Sequence, residues 1–170
     1  MKKNNIILIG YMGAGKSTVG KKLAKVRGYE FIDTDQWIEK QEKRSIPEIF
    51  AKEGEGYFRS LETECIRGLL KEERGKVISV GGGLPVRAEN RELLKQLGMV
   101  IYLKGTPETI YERVKGDKNR PLLQTENPKE RIRSMMEERE PFYQEASHMI
   151  LSVEEKSVDQ LISEIPMLLD

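Results

Sequence analysis

Residues 10–17 read Gly-Tyr-Met-Gly-Ala-Gly-Lys-Ser, which fits the pattern G-x-x-x-x-G-K-[ST]. Glycines at this spacing let successive backbone N–H groups turn toward phosphate oxygens, an approach that a Cβ would block. An apolar run, 6–9, leads into the motif, and helical spacing begins near Lys16. The start of that helix adds unpaired N–H donors and a partial positive charge. Gly13, Ala14, Gly15 and Thr18 then belong to a backbone cradle for a triphosphate. Lys16 is expected to reach the β- and γ-phosphates, and the Ser17 hydroxyl to ligate Mg²⁺.

Asp33-Thr34-Asp35 follows a second apolar run, 29–32. No Asn-Lys-x-Asp guanine-reading sequence is present, and the run 77–80 passes into Gly81, Gly82 and Gly83 rather than into an acidic residue. Asp33 is therefore the candidate carboxylate for the magnesium shell. Read as an extended segment with its carboxylates pointing apart, the tripeptide gives Asp33 to the metal and Asp35 to a neighbouring acceptor. Asp-Thr-Asp before a helical stretch is equally a good N-cap sequence, and spacing alone leaves both readings open.

These residues need a scaffold. Apolar runs at 6–9, 29–32, 77–80, 100–103 and 149–153 predict five short strands. Stretches 16–27, 87–97, 106–115, 128–146 and 157–169 carry helical spacing, and 36–72 holds two more helical stretches parted near Gly54 and Gly56. Strand alternating with helix implies an α/β protein with a parallel sheet covered on both faces, and ligands gather at the carboxyl ends of such strands. The phosphate motif, the Asp pair and the triple glycine all fall there. The stretch from approximately 34 to 72 is longer than a simple crossover needs and marks a substrate-binding lobe. Residues 116–127 combine charge, Gly and Pro and predict a mobile loop.

Composition bounds the rest. The 170 residues suit one domain, and 38% hydrophobic with 34% charged residues is a soluble globular balance. A net charge of +1, from 29 basic and 28 acidic residues, argues against a chain built to neutralise a nucleic-acid backbone. Cys65 has no partner for an internal disulfide, and no Cys/His cluster has metal-ligand spacing, so a reduced, cytoplasmic setting is expected. The run 6–9 is too short for a membrane span. Small-molecule substrates, no nucleic acid, no membrane and a monomer are the expected associations.

Taken in order, the motifs resemble one family. The phosphate-loop strand, Phe31-Ile32-Asp33-Thr34-Asp35, Ser45-Ile-Pro-Glu-Ile-Phe50, Phe58-Arg59 followed by Glu62, Gly81-Gly82-Gly83 and Arg120-Pro-Leu-Leu123 closely resemble the shikimate kinases. The likeness runs from residue 6 to about residue 156. The combination is specific where the phosphate loop alone is not.

The resemblance implies a P-loop fold of the nucleoside-monophosphate-kinase type: three αβα layers, a five-stranded parallel sheet, a substrate lobe and a lid at approximately 114–127. It implies ATP- and Mg²⁺-dependent phosphorylation of the shikimate 3-hydroxyl, on the chorismate route to aromatic amino acids. By position, Asp35 would bind ring hydroxyls and orient or deprotonate the attacking oxygen. Arg59 and Arg139 would grip the substrate carboxylate, and Gly82 would offer a backbone N–H to a hydroxyl. Arg120 would be the lid arginine at the transferring phosphate, and Arg113 would stack on adenine.

The physics of those roles is independent of the likeness. A planar guanidinium pairs with a carboxylate through two parallel hydrogen bonds, which lysine cannot match. Glu62 is expected to brace Arg59 from three residues along a helix. Trp37, Phe58 and Cys65 read as core, residues 131–140 as a charged helix face, and His148 has no assigned chemistry. The segment 152–157, Ser-Val-Glu-Glu-Lys-Ser, departs from the family pattern in lacking a later proline, with Lys156 the expected nucleotide contact. A nucleoside monophosphate kinase, a gluconate-type kinase and a non-catalytic nucleotide-binding regulator are the alternatives. The set Asp35, Arg59 and Arg139 favours a hydroxylated carboxylate as acceptor.

Overall fold

A strand whose five residues are all buried belongs inside a sheet, and β1 (Asn5–Ile9) is the central strand. The structure is a computed structural model that describes residues 4–117 and 125–166. Around β1 lie β2 (Glu30–Asp33), β3 (Lys76–Ser79), β4 (Gly98–Lys104) and β5 (Met149–Ser152). All pair in parallel, in the order β2-β3-β1-β4-β5. An unbroken apolar run, rather than alternation, is what a strand covered on both faces requires. The strands fall within two residues of their predicted positions.

Eight α-helices complete the described residues: α1 (Lys16–Arg27), α2 (Thr34–Glu42), α3 (Ile46–Glu53), α4 (Glu55–Leu70), α5 (Ala88–Leu97), α6 (Pro107–Val114), α7 (Pro128–Ala146) and α8 (Val158–Glu164). Helix α1 packs with α8 and against β1, β2 and β3, whereas α5 packs with α4 and α7 and against β1 and β4. Among the described residues, no helix is long and apolar enough to cross a membrane.

Two helical expectations need correction. Residues 36–72 hold three helices, not two. Helix α2 stops at Lys43, a non-glycine residue in the left-handed region (φ 56°), and Ser45 and Glu48 form a capping box that starts α3. The second break, at Gly54 (φ 85°), is where the glycines predicted it. The last helix ends at Glu164, and residues 167–169 of the expected helix lie outside the described residues. Ile165 is extended (φ −84°, ψ 120°) because Pro166 disfavours the helical conformation in the residue before it.

Strand register brings the functional segments to one edge. Ser79 is level with Leu8 on one side and Asp33 on the other, so Gly10, Asp33 and Gly81 all emerge at the carboxyl ends of neighbouring strands. His148 sits at the opposite end, where its Nδ1 accepts from the Val100 N–H (2.9 Å) and its own N–H bonds Val100 O (2.8 Å). Its work is to begin β5. Phe58 and Cys65 are buried and Trp37 packs on the same core, in line with their reading as packing residues.

Candidate active site

The loop between β1 and α1 is held by backbone that only glycine tolerates. Gly13 has φ 78°, and a Cβ there would lie 2.7 Å from Val114 Cγ1. Gly15, with φ 95°, forms the N-cap of α1, so no side chain occupies the helix start, and no acidic residue lies in the first turn. The free N–H groups and helix dipole are thus left to an anion. The Lys16 ammonium folds back onto the loop, donating to Gly10 O (2.5 Å) and Tyr11 O (3.2 Å). One residue on, the Ser17 hydroxyl donates to Asp33 Oδ2 (3.2 Å).

Ser17 and Asp33 are hard oxygen donors side by side next to the phosphate loop, a pairing that fits Mg²⁺. Among the described residues, no group of three His, Cys, Asp or Glu forms an all-protein cage.

The Asp33-Thr34-Asp35 element departs from the extended arrangement with carboxylates apart. Residues two apart on a strand share a face, and here Asp35 has already left the strand for the first turn of α2. Asp33 is the N-cap of that helix, its Oδ1 accepting from the N–H groups of Asp35 (2.9 Å) and Gln36 (3.3 Å). Capping and site-forming are therefore one arrangement. Both carboxylates line the same cleft of about 360 Å³, with Gly13, Gly15, Lys16, Gly81 and Gly82. Burial pushes the Asp35 carboxyl up to about 6, and the Asp33 charge adds to the rise while Lys16 opposes it.

The triple glycine has a reason that backbone angles do not supply, since none of the three has a positive φ. Each is a point of close approach. A Cβ on Gly81 would lie 2.7 Å from Asp35 Oδ1 and 3.3 Å from Glu62 Oε2. On Gly82 it would meet Arg139 Nη1 at 3.2 Å, and on Gly83 Arg59 Nη1 at 2.5 Å. Three bare residues thus let one carboxylate pair and two guanidinium groups, from α2, α4 and α7, converge on a single stretch of backbone. Thr34 fixes that stretch by accepting the Gly81 N–H (3.0 Å).

Arg59 donates to Glu62 Oε1 at 2.7 Å, the expected brace. Sequence reasoning missed the rest of Glu62. Its side chain is only 1% exposed, and its second oxygen, Oε2, has no hydrogen-bond partner. Burial raises its carboxyl to about 7, opposed by the charge and hydrogen bond of Arg59. Tyr11 and Tyr143 were also missed. The Arg139 guanidinium lies 5.6 Å from the Tyr11 ring centroid, and the Tyr143 hydroxyl donates to Gly82 O at 2.6 Å. Their only signal was adjacency: one within the phosphate motif, the other one helical turn after Arg139.

On the far side of the loop, a second cavity of about 350 Å³ is lined by Gly13, Ala14, Gly15, Thr18, Arg113 and Lys156, among others. Arg113 donates to Gly13 O (3.0 Å), and Lys156 pairs with Glu164 (3.0 Å). Glu154 joins the segment after β5 to the start of α6, accepting from Thr106 N and Thr109 Oγ1, both at 2.7 Å. Arg120 lies outside the described residues, as do residues 118–124 of the expected lid.

A parallel sheet in this order, a glycine loop that cradles phosphate after its first strand, and a charged acceptor cleft beside the loop define a P-loop kinase of the nucleoside-monophosphate-kinase type. The family model described as shikimate kinase matches residues 12–169. The chain belongs to the shikimate kinase family. It is 46% identical over 146 residues to a shikimate kinase of Thermodesulfovibrio yellowstonii, covering 86% of this chain and 84% of that one. With a shikimate kinase of Caldanaerobacter subterraneus subsp. tengcongensis it shares 44% identity, over 95% of this chain and 93% of the relative. Among solved structures, the shikimate kinase from Acinetobacter baumannii in complex with shikimate superposes with a TM-score of 0.88 at 42% identity, covering 95% and 90% of the two chains. A gluconokinase from Sinorhizobium meliloti shares the fold alone, with a TM-score of 0.56 at 17% identity.

Proposed function

We propose that this protein transfers the γ-phosphate of ATP to the 3-hydroxyl of shikimate, giving shikimate 3-phosphate and ADP. The observation that carries the reading is the convergence of Asp35, Arg59 and Arg139 on Gly81, Gly82 and Gly83, beside the loop that holds Lys16. Family membership and the shikimate bound by the Acinetobacter relative support the choice of acceptor.

In this reading the triphosphate lies along residues 10–18, with its charge met by the α1 N-terminus and by Lys16 as that ammonium leaves the carbonyls of Gly10 and Tyr11. Ser17 and Asp33 would hold Mg²⁺, which would supply charge neutralisation at the triphosphate. Arg59 and Arg139 take the acceptor carboxylate, and the Gly82 N–H meets a hydroxyl. Asp35, a half-buried carboxylate with a pKa of about 6, is mostly ionised at neutral pH and accepts the hydroxyl proton or holds it in line. The bond from the acceptor oxygen to the γ-phosphorus forms as the bond to the ADP oxygen breaks, and the proton leaves by way of Asp35. Arg120 is assigned to the transferring phosphate, and Arg113 and Lys156 to the nucleotide base side, on family likeness and on the lining of the second cavity.

A monomer in the cytoplasm is the proposed working form. The reduced setting is supported by a single cysteine that is buried and whose thiol burial pushes up to about 12, away from redox reactivity.

A coupled ADP-release assay with shikimate, gluconate and the four nucleoside monophosphates tests the proposal, with mass analysis of the product. MgATP-dependent formation of a shikimate monophosphate is expected. Turnover with a nucleotide or gluconate and none with shikimate would overturn it.

A further inference from the structure

One buried polar group next to the acceptor cleft has no part in the chemistry above. Tyr143 lies four residues after Arg139 on α7, a spacing that puts both on one helix face. Its side chain is 1% exposed. A phenol that deeply buried must spend its hydroxyl on protein, and here it spends it on the cleft. The hydroxyl proton goes to Gly82 O at 2.6 Å, and the Arg139 guanidinium stands at the same corner, its positive charge opposing the rise that burial gives the phenol's pKa. A phenol has one proton to give, and with that proton on Gly82 O its lone pairs are left to the neighbouring guanidinium charge.

We propose that Tyr143 is the positioning residue that sets Arg139 and the Gly82 peptide at a fixed separation for the acceptor's carboxylate and hydroxyl. The inference rests on the reading that Arg139 binds that carboxylate. Its geometric basis is the corner at Gly82, where a Cβ would lie 3.2 Å from Arg139 Nη1, 3.6 Å from the Tyr143 hydroxyl and 3.7 Å from Gly10 O. An arginine side chain in water has many rotamers, and a bidentate grip needs one of them. Tyr143 removes that freedom from one side and the Tyr11 ring from another.

Tyr143 is itself held. Its ring packs on Tyr102, with centroids 5.1 Å apart at 51°. The Tyr102 hydroxyl donates to Glu140, whose other oxygen pairs with Lys104 at 2.8 Å. The phenol position is thus set by β4 and α7 together. Because Gly82 belongs to the segment after β3, the Tyr143 hydroxyl joins that segment to α7 at the point where substrate would be gripped.

The test is Tyr143→Phe in the full chain, which keeps the ring and deletes only the hydroxyl. Steady-state kinetics are read for shikimate and for ATP, with MgADP binding by calorimetry as the check on folding. The expected result is a rise of about tenfold in the shikimate KM, with kcat and the ATP KM within about twofold of wild type; tenfold is the scale of one net hydrogen bond. A shikimate KM raised less than about threefold overturns the inference, as does an equal rise in the ATP KM, which marks general loosening.

Arg139→Lys in both backgrounds completes a double-mutant cycle. Tyr143→Phe should cost much less once the guanidinium is gone, and fully multiplicative effects count against the proposal. If Tyr143→Phe fails to bind MgADP, Gly82→Ala decides instead. Its methyl displaces the guanidinium with the phenol intact, and an unchanged shikimate KM overturns the inference. Wild-type protein inactive on shikimate would instead sink the assignment of the acceptor, a different failure visible before any variant is made.

Discussion

The carboxylates of Asp35 and Glu62 face the same bare backbone carbon, that of Gly81, from two different helices. Neither is neutralised by a bond to the other, and burial raises both, to about 6 and about 7. The Arg59 charge restrains each of them, and through Glu62 it is also hydrogen-bonded. The acceptor cleft is thus a place where ionised carboxylates are costly and two guanidinium groups make them tolerable.

A methyl group at Gly81 tests how tightly that geometry is drawn. With 2.7 Å to Asp35 Oδ1, Gly81→Ala forces Asp35 or the glycine segment to move. Turnover should fall by roughly 10–100-fold, the scale at which a displacement near 1 Å disables a reacting geometry. MgADP affinity should stay near wild type, because the phosphate loop is untouched. Equal losses in both would mean that the segment, and not the carboxylate, had been disturbed.

Glu62 makes stability depend on pH, with a definite sign. Its folded pKa of about 7 lies above the ordinary value of 4.5, so the folded state keeps a proton that the unfolded chain releases. The contribution of this group is therefore fully present below pH 4.5 and is lost as pH rises through about 7. Glu62→Gln removes that slope. Urea denaturation at about pH 5 and about pH 8 should show a wild-type drop steeper than the variant's by at most about 3 kcal/mol. Parallel slopes in the two proteins would contradict a buried, proton-holding Glu62.

Donor and acceptor sides should separate by mutation. Lys16→Ala removes the mobile charge at the phosphates and should cost about 3 kcal/mol or more of transition-state stabilisation, read in kcat rather than in the shikimate KM. Asp35→Asn should remove most turnover while ATP binding persists. In wild type, kcat/KM for shikimate should decline below about pH 6 as Asp35 protonates. Near-normal turnover by Asp35→Asn would exclude it from handling the hydroxyl.

The sheet and the phosphate site were legible because their signals are local. An apolar run such as 6–9 states its own burial, and the glycine-lysine-serine motif lies between a strand and a helix that each announce themselves. The acceptor cleft is assembled from α2, α4, α7 and the segment after β3, and no local pattern joins them. Arg59 and Arg139 look like surface charges on charged helices until Gly82 and Gly83 are seen against them. The break at Lys43 escaped because the left-handed conformation there is adopted without glycine. Tyr143 and the buried Oε2 of Glu62 were illegible for the same reason as the cleft: the Gly82 carbonyl that one bonds and the Gly81 backbone that the other faces are distant in the chain.

Arg59 has two duties that one substitution can tell apart. Its guanidinium is 2.7 Å from Glu62 and lies against Gly83, so it both neutralises a buried carboxylate and is aimed at the substrate's. Arg59→Lys keeps a charge near Glu62 but loses the flat, two-pronged face. Arg59→Ala loses both and leaves Glu62 buried with less compensation, which drives its pKa further upward. The shikimate KM should therefore rise in both variants, in Arg59→Ala by a factor corresponding to about 2–4 kcal/mol. Stability at alkaline pH should fall chiefly in Arg59→Ala, where the Arg139 charge alone still restrains the ionised Glu62. Pairing KM measurements with urea denaturation near pH 8 resolves the two effects. An Arg59→Ala protein with wild-type KM would remove Arg59 from the acceptor site, whatever its stability did.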